Sequence, residues 1–253
     1  MPPITIKSPE EIKTIAEGGR KLAQVRDKLV ETVKPGITST ELDKLADKLI
    51  TKSGGQASFK MVPGYRWATC INVNEVVVHG IPGPRKLKPG DVVGIDVGLF
   101  WKGFHTDTSI TVVVGHPTEG VQKFLDTGKE ALNKALSLAK PGHRIADLSR
   151  SMQQTVEVAG YSAVRALTGH GIGKQLHEEP AIPCFEVGAY SASPKLVPGM
   201  VLAIEIMYNL GTSEVVYQNA DGWTIATADG KISGLFEETV VVTKNQPVII
   251  TTA

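Results

Sequence analysis

The sequence contains LKPGDVVGIDV at residues 87–97, and the same pattern returns as LVPGMVLAIEI at residues 196–206. Both stretches pass from a Pro-Gly turn into an apolar strand with one acid in its interior, Asp96 in the first and Glu205 in the second. An acid within an apolar run is rarely found without a partner or a function. The repeat therefore predicts two related halves that place one acid at the same strand position.

A second repeat supports this division. The tripeptide KPG occurs at residues 34–36 and 140–142, and each copy separates two predicted helices. No Pro- or Ser-rich linker lies between the halves, so we expect a single domain over 1–253 with halves of about 8–115 and 116–245. The predicted fold class is α/β (α+β), with an antiparallel sheet in the middle and helices outside.

The local patterns predict four helices and a set of strands. Apolar residues recur at helical spacing, and capping residues and Pro-Gly or Gly signals bound each helix. The predicted helices are 8–33, 39–52, 118–139 and 145–159, and the predicted strands are 69–78, 91–100, 104–114, 200–210, 213–219 and 235–243.

A predicted hairpin carries two acids. If Trp101 and Lys102 form the centre of its turn, Asp96 and Asp107 lie directly opposite each other, with Cβ atoms about 5 Å apart. Like charges at that distance are destabilising unless a cation bridges them. The hairpin therefore predicts two ligands for a pair of divalent metal ions.

Further acids lie in two later strands. Glu205 is central in an apolar run, whereas Glu237 and Glu238 are adjacent, and strand alternation sends only one of them inward. The pattern alone leaves that choice open. Four buried carboxylates would be neutralised by two divalent cations, an arrangement typical of hydrolases.

Three histidines have glycine or proline neighbours. His170 lies in GHGIG, and a nitrogen ligand among oxygen ligands favours Mn, Fe, Co or Zn. His79 and His177 occur in VHGIP and LHEEP, which makes them further candidate site residues. The other three, His105, His116 and His143, lack such a context, and we expect them at the surface.

The composition excludes several classes of protein. The chain has 253 residues, a net charge of +1 and 42% hydrophobic residues, with no basic run for nucleic acid and no stretch long enough for a membrane helix. The N-terminus has no signal-peptide core. Two cysteines, Cys70 and Cys184, without a CxxC pair indicate a reducing, intracellular compartment.

Taken together, the motifs resemble those of the methionine aminopeptidases over about residues 8–245. The motifs that carry the resemblance are GHGIG at 169–173, HEEP at 177–180, VHGIP at 78–82, IDV at 95–97, GFHTDTS at 103–109, IE at 204–205 and FEET at 236–239.

The resemblance implies the pseudo-symmetric "pita-bread" fold and removal of the initiator methionine when the next residue is small. It implies two divalent metal ions (Co, Mn, Fe or Zn). It also chooses Glu237 over Glu238. The implied metal ligands are Asp96, Asp107, His170, Glu205 and Glu237; the implied catalytic residues are His79, His177 and Glu205; and the implied substrate-binding residues are His79, His177, Tyr65, Cys70 and Trp223.

Departures from the family pattern do not remove a ligand. The family commonly has Pro where this chain has Ile206, His where it has Glu238, and a larger aromatic residue where it has Leu176. The short spacing between His177 and Glu205, with no Cys/His-rich extension ahead of Met1, favours the compact type I enzymes.

The resemblance also implies partners and location. The expected substrate is the N-terminal methionine of nascent polypeptides, and we expect a cytoplasmic monomer in transient contact with the ribosome. We expect no nucleic-acid substrate and no membrane. Three alternatives stay open at this point: a proline-directed peptidase of the same fold, a non-catalytic binding protein, and a dinuclear phosphoesterase.

Overall fold

The computed structural model describes residues 3–252, which form four α-helices and thirteen strands. None of the helices in this part of the chain has the length and apolar character of a membrane span. The helices are α1 (Pro9–Thr32), α2 (Ser39–Lys52), α3 (Glu119–Ser137) and α4 (Ile145–Val158). The strands are β1 (Gln56–Ala57), β2 (Thr69–Val73), β3 (Val76–Val78), β4 (Val92–Trp101), β5 (Phe104–Val113), β6 (Ser162–Ala163), β7 (Thr168–Gly171), β8 (Glu178–Pro183), β9 (Val201–Asn209), β10 (Val215–Tyr217), β11 (Ile225–Thr227), β12 (Ser233–Val241) and β13 (Val248–Ile249).

All four predicted helices are confirmed, and their ends lie within two residues of the predicted ones. Capping explains this agreement, because the signals are local. Ser8 and Glu11 form a capping box at the start of α1, and Thr38 and Glu41 form another at the start of α2. The predicted strand at 69–78 is two strands, because Asn74 adopts a positive φ of 57° and turns the chain.

A ten-stranded sheet contains strands from both halves of the sequence. Its main path is β1-β4-β5-β12-β9-β7-β8, and every pair along it is antiparallel. One apolar cluster joins α1 and α2 to β4, and another joins α3 and α4 to β9 and β12. The predicted antiparallel sheet with outer helices is confirmed, and the two halves meet where β5 pairs with β12.

The predicted register of the β4–β5 hairpin is wrong by two residues. The turn residues are Lys102 and Gly103, with φ of 49° and 91°, so that Asp96 lies opposite Ser109 and Asp107 lies opposite Gly98. Two successive positive φ values make the tight turn that matches the twist of a hairpin. A shift of two residues preserves the strand face, so both acids still point to the same side of the sheet.

Threonine hydroxyls join the two halves where β5 meets β12. The paired residues there are Glu237 with Ser109 and Glu238 with Thr108. On one side, the Thr111 hydroxyl donates to the carbonyl of Leu235 (2.7 Å) and accepts from its amide (2.9 Å). These side-chain bonds take the place of the backbone ladder, so a hydroxyl is required at this position.

On the other side, Thr239 does the same for Asp107. Its hydroxyl donates to the carbonyl of Asp107 (2.7 Å) and accepts from the amide of Asp107 (3.0 Å). The two threonines come from opposite strands, so each half of the sequence supplies one of them. The boundary between the halves is therefore fixed by buried hydrogen bonds on both sides of the backbone pairing.

Replacing Thr111 with Val should lower the free energy of unfolding by about 1–3 kcal/mol, because it leaves the buried amide and carbonyl of Leu235 without their partner. Urea denaturation of the wild-type and variant proteins measures this loss. Thr127→Val is the matched control, since the buried Thr127 hydroxyl only adds a bond to a carbonyl of its own helix. Equal losses for the two variants would contradict the role assigned to Thr111.

Candidate metal centre

The sheet register places one set of candidate residues in a single row across five strands. Cys70 on β2 pairs with Asp96 on β4, which pairs with Ser109 on β5. Ser109 pairs with Glu237 on β12, which pairs with Glu205 on β9. Laterally paired residues direct their side chains to the same face of a sheet. Three of the four candidate carboxylates therefore lie in one row.

A second row lies beside the first. It contains Asp107, two residues from Ser109, then Thr239, then Ala203, which pairs with His170 on β7. Ligand atoms of Asp107, His170 and Glu237 all lie within 4.8 Å of one another, and the three residues are buried. The two rows together bring all five predicted metal ligands to one cavity of about 340 Å³.

The four carboxyl groups cannot all be ionised in this environment without cations. Burial raises the pKa of Asp96 to about 7. Burial, followed by the charges of the neighbouring acids, holds the pKa values of Asp107, Glu205 and Glu237 well above their usual range. Among the described residues that line the cavity, none is a lysine or arginine that could balance these charges.

Two buried oxygen atoms in the first row lack hydrogen-bond partners among the described residues. They are Oδ1 of Asp96 and Oγ of Ser109, which are neighbours across β4 and β5. Leaving such atoms buried and unsatisfied costs about 1–3 kcal/mol each. Carboxylate oxygens together with an imidazole nitrogen form a donor set for divalent first-row metals. The residues present therefore fit a metal ion.

His170 is oriented for ligation by the backbone of the residue that follows it. Its Nδ1 lies 2.9 Å from the carbonyl oxygen of Gly171, which fixes the proton on Nδ1 and leaves the Nε2 lone pair free. Burial lowers the pKa of His170 to about 3, so the ring is neutral at physiological pH. A neutral imidazole with one nitrogen held in this way is the form that binds a metal.

The other end of the cavity is apolar and aromatic. The Tyr65 ring packs edge-on against the rings of Phe59 and Trp223, with centroids 6.4 Å and 5.1 Å away. The Tyr65 hydroxyl donates to the carbonyl of Thr69 (2.9 Å) and contacts Cys70 Sγ (3.2 Å). An apolar compartment beside an acidic cluster can hold an unbranched side chain while its polar end faces the acids. Further apolar residues that line the cavity are Val62, Val78, Leu167 and Met207.

His79 and His177 also line the cavity. The rings of His170 and His177 are 4.5 Å apart, and that of His79 lies 6.3 Å from the ring of Trp223. Burial lowers the pKa of both His79 and His177. His79 has a φ of 56°, a left-handed conformation that is uncommon for a residue with a side chain and that concentrates at functional sites.

The structure distinguishes the two adjacent acids on β12. Glu237 points into the cavity with the other carboxylates, as the resemblance implied. Glu238 points to the other face, where Arg26 of α1 lies 2.8 Å from its Oε1. Pattern alone could not make this choice, because the partner of Glu238 belongs to a distant helix.

One expectation about the histidines is wrong. His105 is buried at 6% exposure, and its Nδ1 lies 2.9 Å from the hydroxyl of Ser58. Burial lowers its pKa to about 4. His116 is exposed and His143 is half-buried. His105 faces inward because it alternates with Thr106 on β5, and both faces of that strand are covered.

Comparison with known proteins identifies the family. The pattern of metallopeptidase family M24 matches residues 13–244, so the chain belongs to this family. A methionine aminopeptidase of Clostridium perfringens is 44% identical over 248 residues, covering 98% of each chain. The structure of a methionine aminopeptidase from Thermotoga maritima superposes with a TM-score of 0.95 at 37% identity, covering 99% of this chain and 100% of that one.

A more distant relative shares the fold alone. Prolidase from Pyrococcus furiosus superposes with a TM-score of 0.80 at 23% identity, and the match covers 98% of this chain but 65% of that protein. The comparisons confirm both the resemblance to methionine aminopeptidases and the pita-bread fold. Membership of a metallopeptidase family implies divalent metal ions, and the cluster of Asp107, His170 and Glu237 is a candidate site for them.

The acidic cluster should give the metal-free protein an unusual pH dependence. Because folding raises the pKa values of these carboxyls, the folded state takes up protons before the unfolded state does, and stability falls as pH rises. The free energy of unfolding of chelated protein should therefore increase between about pH 8 and about pH 6.5. Below about pH 6.5 the buried histidines oppose this increase, because folding lowers their pKa values. Saturating Mn²⁺ should remove this increase, since the bound ions require ionised carboxylates.

Denaturant titrations at several pH values, with and without Mn²⁺, measure this effect. Asp96→Asn should weaken the pH dependence of the chelated protein, because one of the titrating groups is gone. Glu130→Gln, which alters an exposed acid on α3, is the control and should leave the dependence unchanged. A chelated protein whose stability is flat over this range would contradict the assignment of a buried, mutually repelling cluster.

Proposed function

We propose that this protein is a metal-dependent methionyl aminopeptidase that removes the initiator methionine from polypeptides whose second residue is small. One observation supports this most strongly: a cluster of candidate metal ligands forms one end of a cavity whose other end is an apolar, aromatic compartment. The compartment suits the methionine side chain. The methionine aminopeptidases of Clostridium perfringens and Thermotoga maritima support the same activity.

The five proposed ligands are Asp96, Asp107, His170, Glu205 and Glu237, and we propose that they hold two ions drawn from Co, Mn, Fe and Zn. Two ions would balance the four negative charges, which no lysine or arginine among the described lining residues offsets. When bound, such ions lower the pKa of a water to near neutrality and polarise the carbonyl of the scissile bond.

The remaining steps belong to side chains of this chain. We assign to Glu205 the acceptance of the proton from the attacking water, because its carboxyl group lines the same cavity as the other proposed ligands. We assign to His177 the donation of a hydrogen bond to the carbonyl oxygen as charge develops on it. We assign to His79 the binding of the amide nitrogen of the scissile bond, and to Tyr65, Cys70 and Trp223 contact with the methionine side chain, since all of these residues line the cavity.

We extend the proposal to cellular context. The chain would act as a single-domain monomer in the cytoplasm, in transient contact with the ribosome, on the N-terminal methionine of nascent polypeptides. Nucleic acid and membranes would not be its substrates. The two buried cysteines, Cys70 and Cys184, are free thiols, which is in keeping with a reducing compartment.

Metal-dependent release of methionine tests the proposal directly. Chelated protein should release no methionine from Met-Ala-Ser, and adding Mn, Co, Fe or Zn singly should restore release and rank the metals. The same peptide with a blocked amine should be inert, because the free amine has to reach the metal end of the cavity. Cleavage of X-Pro peptides in preference to Met-Ala-Ser would instead favour a proline-directed peptidase.

Replacing His79 with Ala should lower kcat/KM by about 100-fold, because a group placed to bond the scissile amide is lost. Metal content, measured by elemental analysis, should stay that of the wild type, since His79 is outside the proposed ligand set. His116→Ala, a change at an exposed histidine, is the matched control and should leave both quantities unchanged. Loss of metal from His79→Ala would show that its assigned role is wrong.

A further inference from the structure

Two residues lie behind the proposed metal centre, on the opposite face of the same strands. Thr108 follows Asp107 on β5, and Glu238 follows Glu237 on β12, so strand alternation turns both of them away from the cavity. They pair directly across the boundary between the halves. A displacement of Thr108 and Glu238 therefore also displaces their neighbours Asp107 and Glu237, two of the proposed ligands.

The pair is held by a single arginine from α1. Arg26 is buried at 9% exposure, and its Nη1 lies 2.9 Å from the Thr108 hydroxyl, 2.8 Å from Glu238 Oε1 and 3.2 Å from the carbonyl oxygen of Thr251. Its Nε donates to Asp27 (3.1 Å). We call Arg26, Thr108, Glu238 and Thr251 the Arg26 cluster.

The Thr108 hydroxyl accepts from Arg26 and keeps its own proton to donate. The nearer of its two acceptors is the carbonyl of Glu237, 2.9 Å away, and the other is Oε2 of Glu238 at 3.4 Å. The amide of Thr108 donates to Oδ1 of Asp107 (3.0 Å). Thr108 thus binds the backbone of one proposed metal ligand and the carboxylate of another.

Glu238 links the Arg26 cluster to the backbone of Asp107 through Thr251 and Thr239. The Thr251 hydroxyl donates to Glu238 Oε2 and accepts from the amide of Thr239 (2.9 Å). Thr239 in turn holds both main-chain groups of Asp107. These hydrogen bonds form a closed ring around the backbone of Asp107 and Glu237. The side chains of Arg26 and Glu238 are 11% and 20% exposed, so water screens this ion pair little.

We propose that Arg26 is a positioning residue of the metal centre: through Thr108 and Glu238 it sets the separation of Asp107 and Glu237 and so the affinity for the metal ions. The proposal rests on the function proposed above, and it adds a role for the departure at Glu238, where the family commonly has His. Arg26 acts on the positions of the proposed ligands and not by direct contact with the ions, because it does not line the cavity.

A purely electrostatic role makes the opposite prediction. Removing a positive charge near a cation site would strengthen metal binding, whereas loss of positioning would weaken it. The sign of the change therefore distinguishes the two roles. A merely structural role would lower stability and leave the metal affinity unchanged.

Calorimetric titration of Mn²⁺ into metal-stripped protein tests the proposal. Arg26→Gln should weaken Mn²⁺ binding by about 10–100-fold, the range typical for residues that orient metal ligands. Glu238→Gln should weaken Mn²⁺ binding less than Arg26→Gln does, because its amide oxygen still accepts from Arg26 although its NH₂ group cannot accept from Thr251. The matched control is Arg150→Gln, which removes a two-bond ion pair with Glu186 outside the cavity and should not alter binding.

A second pair of variants covers the case in which Arg26→Gln does not fold. Thr108→Val keeps the volume but loses the hydroxyl and should weaken Mn²⁺ binding, whereas Thr108→Ser should restore it. Unchanged or tighter binding in Arg26→Gln, or in Thr108→Val, would overturn the proposal. Wild-type protein that binds no Mn²⁺ would instead overturn the proposed function, so the two failures are distinguishable.

Discussion

Four carboxylic acids buried on one face of a sheet are the constraint around which this molecule is organised. Their mutual repulsion and their burial both oppose ionisation, and the cavity they share offers no lysine or arginine among its described lining residues. Cations are the remaining source of balancing charge. The outer helices cover the opposite face of the sheet, and they leave the acidic face to the cavity.

Much of the fold could be predicted because its signals are local. The cap at Ser8 and the Pro-Gly and Gly stops mark helix ends in the sequence itself. The repeated strand pattern located Asp96 and Glu205, and these two acids do line the same cavity. The hairpin register was missed by two residues because Lys102 adopts a left-handed conformation that the sequence does not favour for lysine.

The parts that sequence could not predict depend on contacts between distant segments. His105 carries no local sign of burial, and it is buried because Ser58 and the neighbouring elements cover it. Ser109 and Phe59 likewise carry no local sign of a role at the site, although Ser109 pairs with both Asp96 and Glu237 across the sheet. The alternation on β12 left Glu237 and Glu238 equivalent, and a residue of α1 separates them.

The order of strands along the chain has a consequence for synthesis. The proposed ligands on β4 and β5 leave the ribosome long before Glu237 on β12, and Thr251, which closes the ring around Arg26, follows later still. The metal site cannot be complete while β12 is still being made. A protein proposed to process nascent chains would thus stay inactive during its own translation, and metal capture would mark the end of its folding.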